Sequence, residues 1–203
     1  MSELKKILLF LCCALIGLST GSIFMLHYSK ESPDNKWRDG ALVTRYVGTS
    51  VTNTNAMTGF IERFPFSDAL KQVQIEGTTV FLRYEVTGKS RKEWVGTNHE
   101  WIDPSSPSFI KSRFPQLVMH HTLALFLAIP NVMTVEIQYT DPVSILQFKI
   151  TRTDFEGYTP RDIERASTST NRFNRVVIDD YVLVESRRKS FLEYFRSQLK
   201  IYP

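Results

Sequence analysis

At 203 residues the chain has the length of one domain, or of one domain plus an anchor. Its 42% apolar and 12% aromatic content can build a buried core and excludes a broadly disordered polymer. The net charge of +4 is too mild for a nucleic-acid-binding protein, which needs a clustered basic stripe; weak attraction to anionic lipid or wall polymers stays open.

Ile7 to Leu26 carries no charge, and twenty helical residues span the roughly 30 Å hydrocarbon core of a bilayer. Lys5 and Lys6 precede it, which predicts a single-pass signal-anchor in the cell membrane, N-terminus cytoplasmic and C-terminal domain outside. Cleavage near Ser19-Thr20-Gly21 is the rival reading, but the apolar run resumes at Ile23. Cys12 and Cys13 both lie in this stretch, and Leu11 before Cys12 fits a lipid-attachment site poorly. The rest of the chain is free of cysteine, so it holds no disulfide framework, cysteine metal site or cysteine nucleophile, a usage that hints at a Gram-positive envelope. The predicted division is an anchor over 1–27, a juxtamembrane linker over 28–40 and an extracytoplasmic domain over 41–203.

Ala41 to Val47 reads as a short strand or extended lead-in, broken by Gly48. Thr52 or Asn53 can cap a helix whose Met57, Phe60, Ile61 and Phe64 share one face, and Pro65 stops it. Val73 and Ile75, then Val80, Leu82, Tyr84 and Val86, alternate with polar residues about Gly77-Thr78, which is a hairpin pattern. Thr87 to Ser112 has no periodicity and carries Trp94, His99, Glu100 and Trp101; long irregular connections are often functional. Packing aromatics on a surface loop is the plainer reading of the two tryptophans, ligand contact the sharper one. A second apolar helix runs from Leu117 to Ile129 and ends at Pro130, followed by alternating strands Met133–Tyr139 and Ile145–Ile150.

This second unit parallels the first. Phe60-Ile61 and Phe64-Pro65 match Leu125-Phe126 and Ile129-Pro130; Val73 and Ile75 match Val135 and Ile137; Leu82, Tyr84 and Val86 match Leu146, Phe148 and Ile150. The expected fold is therefore α+β: a duplicated helix–strand–strand unit giving a four-stranded antiparallel sheet with helices on one face, preceded by one transmembrane helix. Beyond it, Thr153–Glu156 and Thr159–Asp162 are helix starts. Val176 to Val184 is open between strand and helix, and Arg187 to Lys200 is an amphipathic helix set to pack on the core or lie on a membrane.

Tyr46-Val47-Gly48, Phe64-Pro65, Leu125-Phe126 with Ile129-Pro130-Asn131-Val132, and Ile150-Thr151-Arg152-Thr153-Asp154-Phe155-Glu156 resemble a domain of unknown function. That family occurs in membrane- or lipid-anchored extracytoplasmic proteins of spore-forming Gram-positive bacteria. The resemblance spans about Thr44 to Asp162, departs from the family at Pro130 and at His120-His121-Thr122, and implies an extracytoplasmic bacterial domain with no catalytic residues to carry over.

The nine glycines are scattered, with no phosphate-binding loop and no Gly-x-Ser-x-Gly elbow. Adjacent His120 and His121 point about 100° apart on a helix and do not suit one metal; the plain expectation is one exposed and one packed. No cofactor, metal or nucleic acid is predicted. The leading reading is a non-catalytic, membrane-anchored binding or sensory module. Its candidate contacts are Trp94, Trp101, His99, Gln138, Gln147 and Lys149, and its partner an envelope protein, a peptide or a cell-wall component, with the membrane met through residues 7–26. The alternative is an envelope hydrolase using His99, His121 and Glu100.

Overall fold

The computed structural model describes residues 37–85, 107–140, 144–158 and 161–202, with the backbone alone at 107–113 and 161–162. These residues belong to one compact unit that begins at Trp37.

Helix α1 (Gly40–Tyr46) opens the unit where an extended segment is expected. Its first turn closes by Val43 N donating to Asp39 O at 3.0 Å and Thr44 Oγ1 to Gly40 O at 2.6 Å, and it buries Gly40 and Val43. Helix α2 (Thr54–Ile61) starts at Asn53, whose side chain accepts from Ala56 N, and buries Met57, Phe60 and Ile61. Strands β1 (Leu70–Glu76) and β2 (Thr79–Glu85) form an antiparallel hairpin about Gly77, whose φ of +60° suits a residue without a Cβ.

Helix α3 (Pro107–Ala128) is longer than its apolar pattern suggests and carries Pro115 inside it. From Phe114 to Ala128 it is buried except at half-buried Leu127, which explains a hydrophobic pattern with almost no polar face. Its length returns the chain to the end of the sheet where β2 began. Strand β3 (Thr134–Thr140) therefore pairs parallel with β2, Val80 beside Val135 and Tyr84 beside Tyr139. Strand β4 (Ile145–Thr151) is antiparallel to β3. Helices α4 (Arg152–Tyr158) and α5 (Arg161–Glu164) follow, then one turn, Thr170–Arg172, that runs into a π-helix over Phe173–Val182. Helix α6 (Glu185–Tyr194) leads to a fifth strand, β5 (Leu199–Tyr202), antiparallel to β4.

The architecture is α+β with a five-stranded mixed sheet in the order β1-β2-β3-β4-β5, which corrects the expected four-stranded antiparallel sheet. The order helix, strand, strand does occur twice. Seen from the buried face, however, β1 runs opposite to β3 while both lie on the same side of their partners. No rotation that keeps the buried face superposes one hairpin on the other, so the two units are not rotated copies in space. The C-terminal segment also differs: Leu199 and Lys200, expected in a helix, begin the strand that closes the far edge. Among the described residues no helix is long and apolar enough to cross a membrane; residues 7–26 lie outside them.

The core lies between the sheet and the helices. Val80, Leu82, Tyr84, Val135, Ile137, Tyr139, Leu146, Phe148 and Ile150 are buried on the inner face. Under β4 the rings of Phe148, Phe191, Phe195 and Tyr158 lie 4.9–6.2 Å apart. The alternate residues of the strands, on the other face, are half-buried or exposed.

Candidate functional site

Because α3 is enclosed on almost every side, both histidines of its adjacent pair are inside, each with no exposed surface. This corrects the expectation that one would be exposed. The segment ahead of α1 covers one side: Trp37, buried, lies edge-on to His120 at 5.3 Å and to Phe66 at 5.2 Å. Phe64 stands edge-on to His120 at 5.6 Å and to His121 at 4.8 Å, and Tyr84 of β2 is 5.6 Å from His121. Within this aromatic box His120 Nε2 lies 3.1 Å from Asp39 Oδ1, and the two Nδ1 atoms face each other at 3.2 Å.

The protons can be assigned from the network. Ionised Asp39 only accepts, so His120 Nε2 carries a hydrogen and donates it. In the neutral ring His120 Nδ1 is then an acceptor, and His121 Nδ1 is the donor between the rings. The same ring is also bonded to the backbone of Leu117, one turn earlier. His121 Nε2 is left as a lone pair with no hydrogen-bond partner among the described residues. Burial, then the neighbouring His120, hold its pKa well below the ordinary value, and the Leu117 bond opposes this. Asp39 Oδ2, Tyr84 OH and Thr122 Oγ1 are likewise buried without partners among the described residues. Burial, then the charge of Asp68, raise the Tyr84 phenol.

The second candidate surface is the outer face of the sheet. Across the five strands one register row reads Gln72, Arg83, Gln138, Gln147, Lys200. With strands about 4.8 Å apart, this is a ladder of three amides interleaved with two cations. The adjacent row reads Gln74, Phe81, Glu136, Lys149. Gln147 Nε2 donates to Glu136 Oε1 at 3.0 Å and Lys149 Nζ is 3.4 Å from Glu136 Oε2, while Arg83 Nε has no partner among the described residues. Gln74, Glu76, Thr79, Phe81 and Glu136 line a shallow cleft of about 220 Å³.

Of the residues singled out from the sequence, Gln138, Gln147 and Lys149 meet on this face, Gln138 directly opposite Gln147. Trp94, His99, Glu100 and Trp101 lie outside the described residues. His121 exposes no surface, which gives the hydrolytic alternative no open base at that position. Asp39, Tyr84 and Arg83 were not foreseen. Tyr84 and Arg83 are readable from strand alternation, since consecutive residues face opposite sides. Asp39 is not, because its partner His120 is 81 positions away. Among the described residues, no group of three or more His, Cys, Asp and Glu is placed to hold a metal ion.

No protein-family model, no curated protein and no solved structure matches this chain. The family resemblance rests on the short motifs alone.

Proposed function

We propose that the chain is a non-catalytic binding module of the cell envelope, tethered at the membrane through residues 7–26, that receives a peptide-bearing ligand on the outer face of its sheet. The observation that supports this most is the amide row Gln72–Arg83–Gln138–Gln147–Lys200, which offers donors and acceptors at the strand spacing. Peptide groups present the complementary donors and acceptors. Phe81 beside the row supplies an apolar contact, and charges of both signs, Glu136 and Lys149, fix orientation. Arg83 stands in the row between Gln72 and Gln138 and adds a positive charge to it.

The test places a photo-crosslinking residue at Gln138, or at exposed Glu164 on α5, in the full-length chain in its native membranes. The reading expects adducts to a peptide-bearing envelope component from position 138, lost on Arg83→Glu, and none from position 164. Equal adducts from both positions, or adducts only from 164, refute it. A glycan without peptide in the adduct replaces the ligand class.

A further inference from the structure

The two edges of the sheet are unlike. Strand β1 has an irregular register between Leu70 and Gln72, a break that hinders further pairing, and its inward residues Val73 and Ile75 are half-buried. At the other edge β5 pairs with β4, Ile201 beside Leu146 and Lys200 beside Gln147, and has no strand on its other side among the described residues. Leu146 is buried, so Ile201 points to the inner face, yet it is 58% exposed. Of the five large apolar residues exposed among the described residues, three belong to α6 and β5: Tyr194, Ile201 and Tyr202.

Beside this edge the surface opens. Lys189, Leu192, Glu193, Tyr194, Arg196 and Leu199 line an open, mainly apolar groove of about 1070 Å³. Its cations are balanced in place: Lys189 Nζ lies 2.6 Å from Glu185 Oε1, and Arg196 Nη1 lies 3.5 Å from Glu193 Oε1. A surface that holds anionic lipid carries cations in excess. An apolar groove with both signs at its rim suits another protein.

The residues of β5 fit a second β5. In an antiparallel pair of identical strands one residue faces its own counterpart, and inner residues stay with inner ones. An axis through Lys200 opposes two like charges, and one through Tyr202 leaves most of the four-residue strand unpaired. An axis through Ile201 avoids both. It sets the two isoleucines together on the inner face, between the two Leu199 side chains, and on the outer face puts each Lys200 against the other copy's Tyr202 ring. The same axis stands across the sheet, so it keeps both inner faces on one side and turns the two α6 helices antiparallel. Lys189 of one helix then meets Glu193 of the other, and each groove is covered from its open side.

We propose that β5 is a dimerisation edge: two copies of this chain pair β5 to β5, antiparallel about Ile201, and join their five-stranded sheets into one of ten strands with the α6 grooves covered across the axis. The inference is independent of what binds the outer face. It carries the amide row of each copy past Lys200 to Tyr202 of the other.

The test uses the full-length chain in phospholipid vesicles, with Cys12→Ser and Cys13→Ser and a single cysteine returned at Ile201, Lys200 or Met133, all exposed positions. A residue on the axis faces itself within disulfide reach, so mild oxidation should link Ile201→Cys into dimers roughly tenfold faster than Lys200→Cys or Met133→Cys. Adding Tyr194→Glu, which crowds like charges into the joined grooves, should slow that linking by a similar factor with the far-UV signal unchanged. No linking at Ile201→Cys, equal rates at the three positions, fastest linking at Lys200→Cys, or linking indifferent to Tyr194→Glu each overturn the pairing. An environment-sensitive label on Ile201→Cys that reads apolar surroundings in a chain that does not cross-link gives this surface to the bilayer, which overturns it as well.

Discussion

Gly40 and Gly59 both lie in helices, and the structure gives alanine opposite effects at the two sites. A Cβ on Gly40 would stand 2.5 Å from Thr170 O and 2.7 Å from Asn174 Oδ1, far inside van der Waals contact, and Thr170 O is backbone that cannot rotate away. Relief requires moving α1 off the turn before the π-helix, at about 1–3 kcal/mol for overpacking. It also stretches the Gly40 N to Asn174 bond, which contributes about 1 kcal/mol. Against this stands a helix-propensity gain of at most about 1 kcal/mol, so Gly40→Ala should lose about 1–3 kcal/mol. At Gly59 the nearest foreign atom is Tyr46 OH at 3.7 Å, an ordinary contact, so Gly59→Ala should gain about 0.5–1 kcal/mol. For a protein of this size a kcal/mol shifts Tm by about 2–4 °C, so the two variants should fall clearly on opposite sides of the parent in a thermal melt. A Gly40→Ala protein that melts at or above the parent would refute the close docking of α1 on Thr170 and Asn174.

Tyr84→Phe removes a buried hydroxyl with no partner among the described residues and should be neutral or up to about 1 kcal/mol stabilising by urea titration; a clear loss would reveal an acceptor for that hydroxyl. Arg152 donates from Nε to Val132 O and from Nη2 to Ile129 O, both at 2.8 Å, and stacks on Phe126, closing the carbonyl end of α3. Arg152→Lys, which cannot form that fork, should cost about 2 kcal/mol in the same titration. His121 is neutral in the fold with a depressed pKa, so below about pH 6.5 the unfolded chain binds the extra proton. Stability should fall as pH drops through that value, by up to about 1.4 kcal/mol per pH unit, and His121→Asn should flatten the slope between pH 7.5 and 5.5.

The hairpins were legible because a half-buried strand writes its two faces into alternate residues: Val135, Ile137 and Tyr139 are buried, and Glu136 and Gln138 face outward. That alternation also placed Gln138, Gln147 and Lys149 on one outer face. Other segments carry weaker marks. Residues 173–182 bury Phe173, Val177, Ile178, Tyr181 and Val182, a spacing of three to five that settles the choice between strand and helix for helix, while the i to i+5 bonding that makes it a π-helix leaves no separate mark in the sequence. Strand β5 is four residues long with three exposed, too short and too wet to show alternation. Ala41–Val47 carries β-branched residues that suggest extension, but docking against Asn174 and burial of Val43 decide for helix.

The parallel pairing of β2 with β3 explains why the two units read alike without being copies. Strand pattern records which residues face the core, not the direction in which a neighbour runs; that is set by how far the connection carries the chain. Glu76 to Thr79 allows only an antiparallel partner, and so does Thr140 to Ile145. Between β2 and β3 the connection contains a helix of 22 residues, about 33 Å long, enough to cross the sheet and deliver β3 beside the start of β2. Two like-patterned hairpins joined this way share a buried face but are opposite in sense. One consequence falls on β2 itself, central to the pairing: Tyr84 closes the histidine box on one side while its neighbour Arg83 completes the amide row on the other.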